Sequence, residues 1–374
     1  MKSNFDFKSL TSDQTGRLDT LYEMIETEAS QFLGYPCSCE FDYSELYRFL
    51  KYPINNVGDP FDTNHYHLNS HEFEQEVINS FIRFTHGDIE NIWGYVTNGG
   101  TEGNLYGIYL ARELFPTGMV YYSSSSHYSI PKILRIAHAN SIMIKSQPNG
   151  EIDYTDLEDT INFHRDVPPI IFANIGTTMT GAIDNIDRIK QILKDKMVHE
   201  YYIHVDAALG GMIIPFLKNQ PSFGFDAGID SLAISGHKMI GSPIPCGIAL
   251  AKKAHVNRIT KMIEYVGARD TTVSGSRNGL TPLFLWYAIQ TKGMDGFRKM
   301  IKYCFDMSDY AIQELQNIDI DAWRNENSIT VVFPKQKKRI MEKWQMATQN
   351  DIAHIIIMPH VKKEQIDLMI NDLK

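Results

Sequence analysis

Lys238 and Asp206 each combine a reactive side chain with a position at the end of an apolar run. Lys238 comes shortly after Leu232–Ile234, and Asp206 closes Tyr202–Val205. A lysine amine that is partly desolvated and close to other cations has a lowered pKa and attacks aldehydes. A carboxylate can keep a pyridine nitrogen protonated, so that the ring accepts electrons from a carbanion. The structural alternatives are a solvated surface lysine and an aspartate that caps a helix.

A glycine-rich turn, Asn98–Gly103, lies between a predicted strand and a predicted helix. Exposed amides, the helix dipole and the Thr101 hydroxyl can together bind a phosphate at such a turn. Ser235 and His237, next to Lys238, can add further donors. The turn has neither the dinucleotide-binding nor the nucleoside triphosphate-binding glycine pattern. Because a tight strand-to-helix turn needs glycine in any case, this segment alone does not establish an anion site.

Four further positions suit a flat aromatic cofactor. His127 follows another apolar run and can lie on the cofactor ring while it faces a substrate carboxylate. Ala208 leaves room for the ring. Thr177 and Thr178 can hydrogen-bond either the phenolic oxygen of the cofactor or Asp206. A lone histidine is more often structural, and threonines are common in turns, so these assignments depend on the rest of the site.

Short apolar runs alternate with amphipathic stretches through the middle of the chain, which is typical of βαβ units and a mostly parallel sheet. Several of these runs end in small or polar residues. In open α/β sheets, ligands bind outside the carboxyl ends of the strands. We therefore expect five strand ends to form one site: those that precede Asn98, Ser123, Gly176, Asp206 and Ser235.

The pattern divides the chain into three parts. Residues 1–60 form an N-terminal arm with a helical pattern around Leu18–Ile25, and residues 61–260 form a large cofactor-binding domain. Residues 261–374 form a smaller α+β domain. Its predicted elements are helical segments at Leu283–Gln290 and Met307–Leu315, strands at Ser328–Phe333 and Ile355–Met358, and a final helix at Lys363–Leu373.

Composition narrows the classes of partner. Lys and Arg number 36 against 45 Asp and Glu, giving a net charge of -9, which does not favour nucleic acid binding. The sequence contains no uninterrupted run of about 18 apolar residues that could span a bilayer, and its start lacks the apolar stretch of a signal peptide. We expect a cytoplasmic protein with a small-molecule substrate and no membrane partner. The cysteines are few and irregularly spaced, so we expect free thiols at Cys37, Cys39, Cys246 and Cys304.

A metal site would have to begin from His65, His67 and His71. His67 and His71 have the helical spacing that zinc sites use, but His71-Glu72 is not followed by the second histidine of the HExxH pattern. We therefore expect no metal.

An ordered set of motifs in the chain resembles the pyridoxal phosphate-dependent group II decarboxylases over nearly its whole length. Within that family it is most similar to bacterial histidine decarboxylases and plant serine decarboxylases. The motifs are TNGGTEGN (97–104), SSHYS (125–129), ANIGTT (173–178), HVDAALGG (204–211), SGHKMIGSPIPCG (235–247) and GSRNG (275–279).

The resemblance implies an amino acid decarboxylase, a carboxy-lyase, with a type I aminotransferase-like α/β fold. It also implies a homodimer whose active sites are shared between subunits. Lys238 would form the Schiff base with the cofactor, Asp206 would contact its pyridine nitrogen and His127 would stack on its ring. Ser276 would reach the partner subunit's cofactor. The residues implied around the phosphate are Gly100, Thr101, Ser235 and His237.

The motifs resemble two groups of enzymes that act on different substrates. The motifs at Asn98–Gly100, Ala207-Ala208 and Ala322–Asn325 look like the histidine enzymes, whereas Asp59–Phe61 looks like the serine enzymes. Both groups usually carry a histidine where this chain has Leu280. We expect L-histidine as the substrate, with conversion to histamine and carbon dioxide, and L-serine as the second choice.

Two further expectations concern the reaction. Tyr265 is a candidate proton donor, because it follows the lysine in a stretch where the family has a flexible loop. A cysteine desulfurase or an aminotransferase of the same fold is the less favoured alternative. A desulfurase needs a reactive cysteine on a mobile loop, and Cys246 instead lies in a motif that the decarboxylases share.

Overall fold

The computed structural model describes residues 8–374, so residues 1–7 of the predicted arm lie outside the described residues. The α-helices are α1 Ser12–Ala29, α2 His71–Phe84, α3 Gly100–Leu114, α4 Ser129–Ile136, α5 Tyr154–Phe163, α6 Ile186–Asp195, α7 Lys253–Ile259, α8 Leu280–Gln316, α9 Lys338–Lys343 and α10 Lys363–Leu373. Short 3-10 helices lie at Ser44–Lys51, Gly210–Met212, Ile214–Phe216 and Phe225–Ala227.

The strands fall into one large sheet, one small sheet and two short ribbons. They are β1 Asn55–Val57, β2 Ile92–Thr97, β3 Met119–Ser123, β4 Asn140–Ile144, β5 Pro169–Asn174, β6 Tyr202–Asp206, β7 Ser231–Ser235, β8 Gly247–Lys252, β9 Lys261–Ile263, β10 Ala268–Asp270, β11 Ser276–Asn278, β12 Thr330–Pro334, β13 Ala347–Gln349 and β14 Ile352–Ile356.

The large sheet has seven strands in the order β2-β8-β7-β6-β5-β3-β4. Strand β8 pairs antiparallel with both of its neighbours, whereas the pairs from β7 to β4 are parallel. Six strands therefore run in one direction, and the expectation of a mostly parallel sheet is confirmed. The carboxyl ends of β2, β3, β5, β6 and β7 consequently lie along one edge.

Alternate residues of the large sheet feed two separate cores. On β6, Tyr202 packs into one apolar cluster, while Ile203 and Val205 pack into the other. Strands β5, β6 and β7 are buried along their whole length, as expected for a parallel sheet that helices cover on both faces. Helix α3 covers the Tyr202 face, where it packs against β6, β7 and β8.

The C-terminal part contains a three-stranded antiparallel sheet in the order β12-β14-β13. Helix α10 packs against α8 and spans Lys363–Leu373, as the sequence predicts. Both predicted helical segments before it lie within α8, which consists of two helices joined end to end, so these two predictions are confirmed. A kink marks the junction, because Gly293 has φ 58° and ψ -179°, outside the helical region.

Helix α1 confirms the predicted helix of the arm, but none of its residues is buried. Two short ribbons complete the set of strands: β1 of the arm pairs with β11 of the C-terminal part, and β9 pairs with β10. The β1–β11 pairing places Val57 opposite Ser276. Among the described residues, no helix is long and apolar enough to cross a membrane.

Candidate active site

The register of the large sheet brings the predicted strand ends together. Thr97 and Ser235 both lie opposite Gly247, at the start of β8. On the other side, Asp206 lies opposite Asn174 at the end of β5. These ends form one continuous edge. The expected convergence of the strand ends is therefore observed.

The Asp206 carboxylate is buried and held by two donors. Oδ2 accepts a hydrogen bond from Nδ2 of Asn104 at 2.8 Å, and Oδ1 accepts one from the Ala208 amide at 3.0 Å. Asn104 lies in the first turns of α3, so this helix orients the carboxylate directly. No side-chain cation within residues 8–374 forms an ion pair with Asp206. The carboxylate is thus fixed in position, and no ion pair within the described chain neutralises its charge.

Lys238 lies in the turn after β7, where Ser38 of the arm donates a backbone hydrogen bond to its carbonyl at 3.1 Å. Burial lowers the pKa of the amine, and the nearby Asp206 and Cys37 partly oppose that shift. A lowered pKa increases the fraction of neutral, nucleophilic amine at neutral pH. The lysine is therefore suited to react with an aldehyde, as the sequence predicts.

His127 lies close to both of these residues. Burial lowers the pKa of its imidazole, Asp206 opposes the shift, and the charge of Lys238 adds to it. The Ser129 amide donates to Nδ1 at 3.3 Å, and the Ser129 hydroxyl lies 2.8 Å from the same atom. Nδ1 is therefore the acceptor, and in the neutral ring Nε2 carries the hydrogen. Lys238, Asp206 and His127 therefore lie close enough together for the charge of one to shift the pKa of another.

The glycine-rich turn forms a cradle at the start of α3. Gly99 has φ 143°, a conformation that side chains disfavour. A Cβ atom on Gly100 would lie 2.8 Å from Oγ of Ser235 and 3.9 Å from Cβ of Ala208. The missing side chain therefore leaves a space between the helix N-terminus and Ser235. Thr101, the next residue, is exposed.

Among the first amides of α3, those of Glu102 and Gly103 donate to the Gly99 carbonyl at 3.1 and 3.2 Å, which leaves those of Gly100 and Thr101 for an anion. The Glu102 carboxylate does not point a negative charge into the cradle: its oxygens accept from Tyr95 Oη at 3.0 Å and from the Asn98 amide at 3.0 Å. His237 is partly committed, because its Nδ1 lies 2.8 Å from the Cys246 carbonyl. Because a carbonyl only accepts, Nδ1 carries the hydrogen, so Nε2 can donate to an anion only when the ring is protonated.

The Thr177 hydroxyl is engaged in its own turn. It accepts from the Ala182 amide at 2.9 Å and lies 3.0 Å from the Thr180 hydroxyl. Thr178, in contrast, is exposed. Thr177 therefore shapes the loop after β5, and its predicted contact with a cofactor stays a prediction.

Tyr265 and Ser276 lie apart from the lysine within one chain. The Tyr265 side chain is 87% exposed in the turn between β9 and β10. Both residues line a cavity of about 580 Å³, which Arg269 also lines. None of Lys238, Asp206 and His127 lines that cavity in the described chain. A role for either residue in the reaction thus requires another subunit or a movement of the loop.

Hydrogen bonds of Asp59 hold the Asp59–Phe61 segment in the fold. The Asp59 carboxylate is buried, accepts from Trp93 Nε1 at 3.1 Å and from Thr271 Oγ1 at 3.0 Å, and caps the Phe61 amide at 2.8 Å. Leu280 is the first residue of α8 and packs against the main core. Asp59, in the segment that resembles the serine enzymes, therefore makes contacts that hold the fold together.

Among the described residues, no group of three His, Cys, Asp or Glu side chains is arranged to hold a metal ion. The His71 ring is buried near the start of α2, and its Nδ1 lies 3.4 Å from the side-chain nitrogen Nδ2 of Asn64. Burial lowers the pKa of this imidazole. Its surroundings are those of a structural histidine.

Three residues near this site were not predicted to belong to it: Asn104, His204 and Cys37. Asn104 closes the TNGGTEGN motif, and His204 opens HVDAALGG. The alternation of side chains along a strand does contain a signal for His204, because positions 204 and 206 share one face of β6. Cys37, predicted to be a free thiol, lies close to Lys238, and burial raises the pKa of this thiol.

Comparison with known proteins agrees with this geometry. Residues 109–336 match the pyridoxal-dependent decarboxylase conserved domain. The chain is 49% identical to histidine decarboxylase of Acinetobacter baumannii strain ACICU, over 96% of this chain and 94% of that protein. It is 47% identical to histidine decarboxylase of Pseudomonas entomophila, over 98% of this chain and 91% of that protein.

Solved structures show the same fold. L-methionine decarboxylase from Streptomyces sp. 590 superposes with a TM-score of 0.90 at 24% identity, covering 98% of this chain and 95% of that one. Lactobacillus brevis glutamate decarboxylase gives a TM-score of 0.81 at 16% identity, over 100% of this chain and 93% of that one. The predicted type I aminotransferase-like fold is confirmed. The chain belongs to the pyridoxal-dependent decarboxylase family.

Proposed function

We propose that this enzyme converts L-histidine to histamine and carbon dioxide. The observation that carries the proposal is the identity of 47% to 49% to proteins named histidine decarboxylase, over 96% to 98% of this chain. Sequence identity of this extent indicates the substrate more directly than the shape of the active site does. A matched group in a binding pocket favours one substrate by about 1 to 3 kcal/mol, which is too little to exclude another small amino acid.

The site fits pyridoxal phosphate. The cradle at Gly100 offers helix amides and the Ser235 hydroxyl to a phosphate, and a Cβ would fill it. Across the same edge stand a carboxylate without a cationic partner, Asp206, and an amine with a lowered pKa, Lys238. An anion cradle, a carboxylate without an ion pair and a nucleophilic amine are the three groups that this cofactor requires.

Each residue then has a proposed role. Lys238 holds the cofactor covalently through its amine nitrogen, and Asp206 contacts the pyridine nitrogen. When bound, the cofactor supplies a protonated ring that accepts the electron pair left at the α-carbon as carbon dioxide departs. His127 lies on the ring and orients the substrate. Gly100, Thr101, Ser235 and His237 surround the phosphate, Ala208 borders the ring and Thr177 shapes the adjoining loop.

We also propose a homodimer with shared active sites. Helix α1 has 18 residues and none is buried, although Leu21, Met24 and Ile25 are apolar and about half exposed. A helix that buries none of its residues is marginal in water, so a partner subunit is the occupant that would stabilise it. In such a dimer, Ser276 contacts the partner's cofactor and Tyr265 donates the proton to the α-carbon.

The division into residues 1–60, 61–260 and 261–374 is retained as part of the proposal. The large sheet runs from β2 to β8 inside the second range, and the small sheet lies inside the third. A cytoplasmic location is proposed because all four cysteines are free, which is typical of a reducing compartment.

Product formation from L-histidine and from L-serine tests the proposed substrate. We expect histamine to form with a kcat/KM at least about tenfold above that for ethanolamine, a difference of about 1.4 kcal/mol in transition-state binding. Faster formation of ethanolamine from L-serine would reverse the assignment. Absorbance of the purified protein, which a bound cofactor colours, should accompany the assay, so that failure of cofactor loading is recognised separately.

A further inference from the structure

A row of three buried polar side chains leads away from the Asp206 carboxylate into the core beneath α3. Asn104, His204 and Ser231 are each at most 2% exposed. Asn104 Nδ2 lies 2.8 Å from Asp206 Oδ2, and Asn104 Oδ1 lies 2.9 Å from His204 Nε2. His204 Nδ1 lies 2.7 Å from the Ser231 hydroxyl. The four groups therefore form a continuous chain of hydrogen bonds.

The chemistry of the groups fixes the direction of every hydrogen bond. An ionised carboxylate only accepts, so the Asn104 amide must turn its nitrogen toward Asp206. The amide oxygen then faces His204, and Nε2 of that ring must carry the hydrogen. Burial lowers the pKa of His204 to about 3, which keeps the ring neutral. Nδ1 consequently accepts from the Ser231 hydroxyl, and each donor in the row points toward the carboxylate.

The fold leaves the His204 ring little freedom. A Cβ atom on Gly107 of α3 would lie 2.0 Å from His204 Nδ1, so the ring occupies the space that a side chain would need there. The Phe172 ring lies 5.1 Å from it, centroid to centroid, on the neighbouring strand. Helix α3 and strand β5 thus hold the ring in place.

We propose that Asn104 and His204 are positioning residues that fix the Asp206 carboxylate opposite the pyridine nitrogen and so set how tightly the cofactor is held. His204 acts through Asn104: its N–H prevents the amide from flipping, and a flipped amide would present an oxygen to the carboxylate. The inference rests on the proposed role of Asp206 as the partner of the cofactor nitrogen.

Cofactor affinity of the apoprotein, measured by fluorescence titration with pyridoxal phosphate, gives a readout independent of turnover. We expect Asn104→Leu to raise the Kd about 10-fold to 100-fold, the range for a lost hydrogen bond to a charged group. His204→Phe should raise it about tenfold, because the amide loses the partner that orients it. His204→Gln, which keeps an N–H for the Asn104 oxygen, should restore most of the affinity.

A double-mutant cycle separates this role from general stability. If His204 acts through Asn104, the double variant should bind cofactor no more weakly than Asn104→Leu alone. The matched control is Ile170→Val, which trims the apolar cluster on the same face of the sheet and leaves the polar row intact. It should keep the wild-type Kd while its thermal unfolding shifts.

Additive effects of the two substitutions, or equal affinity of His204→Phe and Ile170→Val, would overturn the inference. Should the Asn104→Leu protein not fold, the comparison of His204→Phe with His204→Gln decides alone: equal affinities refute the positioning role. Failure of the wild-type protein to bind pyridoxal phosphate would instead refute the proposed function.

Discussion

Arg277 and Glu74 form a buried ion pair that ties β11 to α2. Their side chains are 1% and 0% exposed. Glu74 also accepts from Asn56 Nδ2 at 2.6 Å and from the Val96 amide at 2.8 Å, and Arg277 donates to the Gly58 carbonyl at 3.0 Å. Because Arg277 is adjacent to Ser276, this pair fixes the segment proposed to reach the partner's cofactor.

Removal of the arginine should be costly. Arg277→Met leaves Glu74 as a buried charge without its partner, and we expect a loss of about 3–5 kcal/mol in the free energy of unfolding. Chemical denaturation followed by circular dichroism measures this loss. Arg298→Ala removes an exposed ion pair with Asp295 and should change stability by less than about 1 kcal/mol. Similar effects of the two substitutions would contradict the structural role of the buried pair.

Lys238→Ala should abolish turnover and the adduct that borohydride reduction traps, because the amine proposed to hold the cofactor is gone. Mass spectrometry of the reduced, digested protein identifies the labelled lysine. Lys302→Ala, which changes a lysine on α8 that pairs with Asp306, should leave both properties unchanged. A reducible adduct at a different lysine in the wild-type protein would remove Lys238 from its assigned role.

Asp206→Ala should bind pyridoxal phosphate more weakly and lose most activity, because a pyridine without a carboxylate partner is a poorer electron acceptor. The isosteric Asp206→Asn keeps the volume but not the charge, so it should resemble the alanine variant in kcat. Both are measured by carbon dioxide release and cofactor titration. Near-normal turnover of either variant would mean that the aspartate serves only to terminate β6.

The parts of this site that follow from local patterns could be predicted, and those that depend on distant contacts could not. Lys238 and Asp206 stand at the ends of apolar runs, where the rule for α/β sheets places ligands. The Asn104–His204 contact, in contrast, joins residues 100 positions apart. Its geometry depends on how α3 crosses β6, which no single stretch of sequence specifies.

The pH dependence of stability should carry a contribution from His204. Its pKa is lowered from 6.5 to about 3 by burial, so between these values the unfolded chain binds a proton that the folded chain does not. Stability therefore rises with pH across this window and is independent of this group above it. We expect the slope of the wild-type unfolding free energy below pH 6.5 to exceed that of His204→Phe by up to about 1.4 kcal/mol per pH unit.

Denaturant unfolding of both proteins from pH 5.0 to 7.5 measures these slopes. Comparison of the two proteins cancels the other buried histidines and Asp184, whose pKa burial raises to about 6 with the opposite sign. Parallel curves would show that His204 is protonated in the folded protein, and the assigned tautomer would then be wrong.

The last prediction concerns α1 and assembly. Leu21 and Ile25 lie one turn apart on the same side of this helix and are 47% and 55% exposed. If a second subunit covers them, Leu21→Lys with Ile25→Lys places two charges in an apolar interface, and the dimer should dissociate at concentrations where the wild-type dimer persists. Sedimentation velocity measures the change, and the separated subunits should lack activity because Ser276 and Tyr265 no longer face a partner's site.

Thr20→Lys is the matched control, since it adds a lysine to the same helix at a polar position. It should leave the sedimentation coefficient and the activity unchanged. Full activity of a monomer verified by sedimentation would refute the shared site. If the wild-type protein were an inactive monomer, no second subunit would cover the apolar side of α1. The proposed subunit interface would then be wrong.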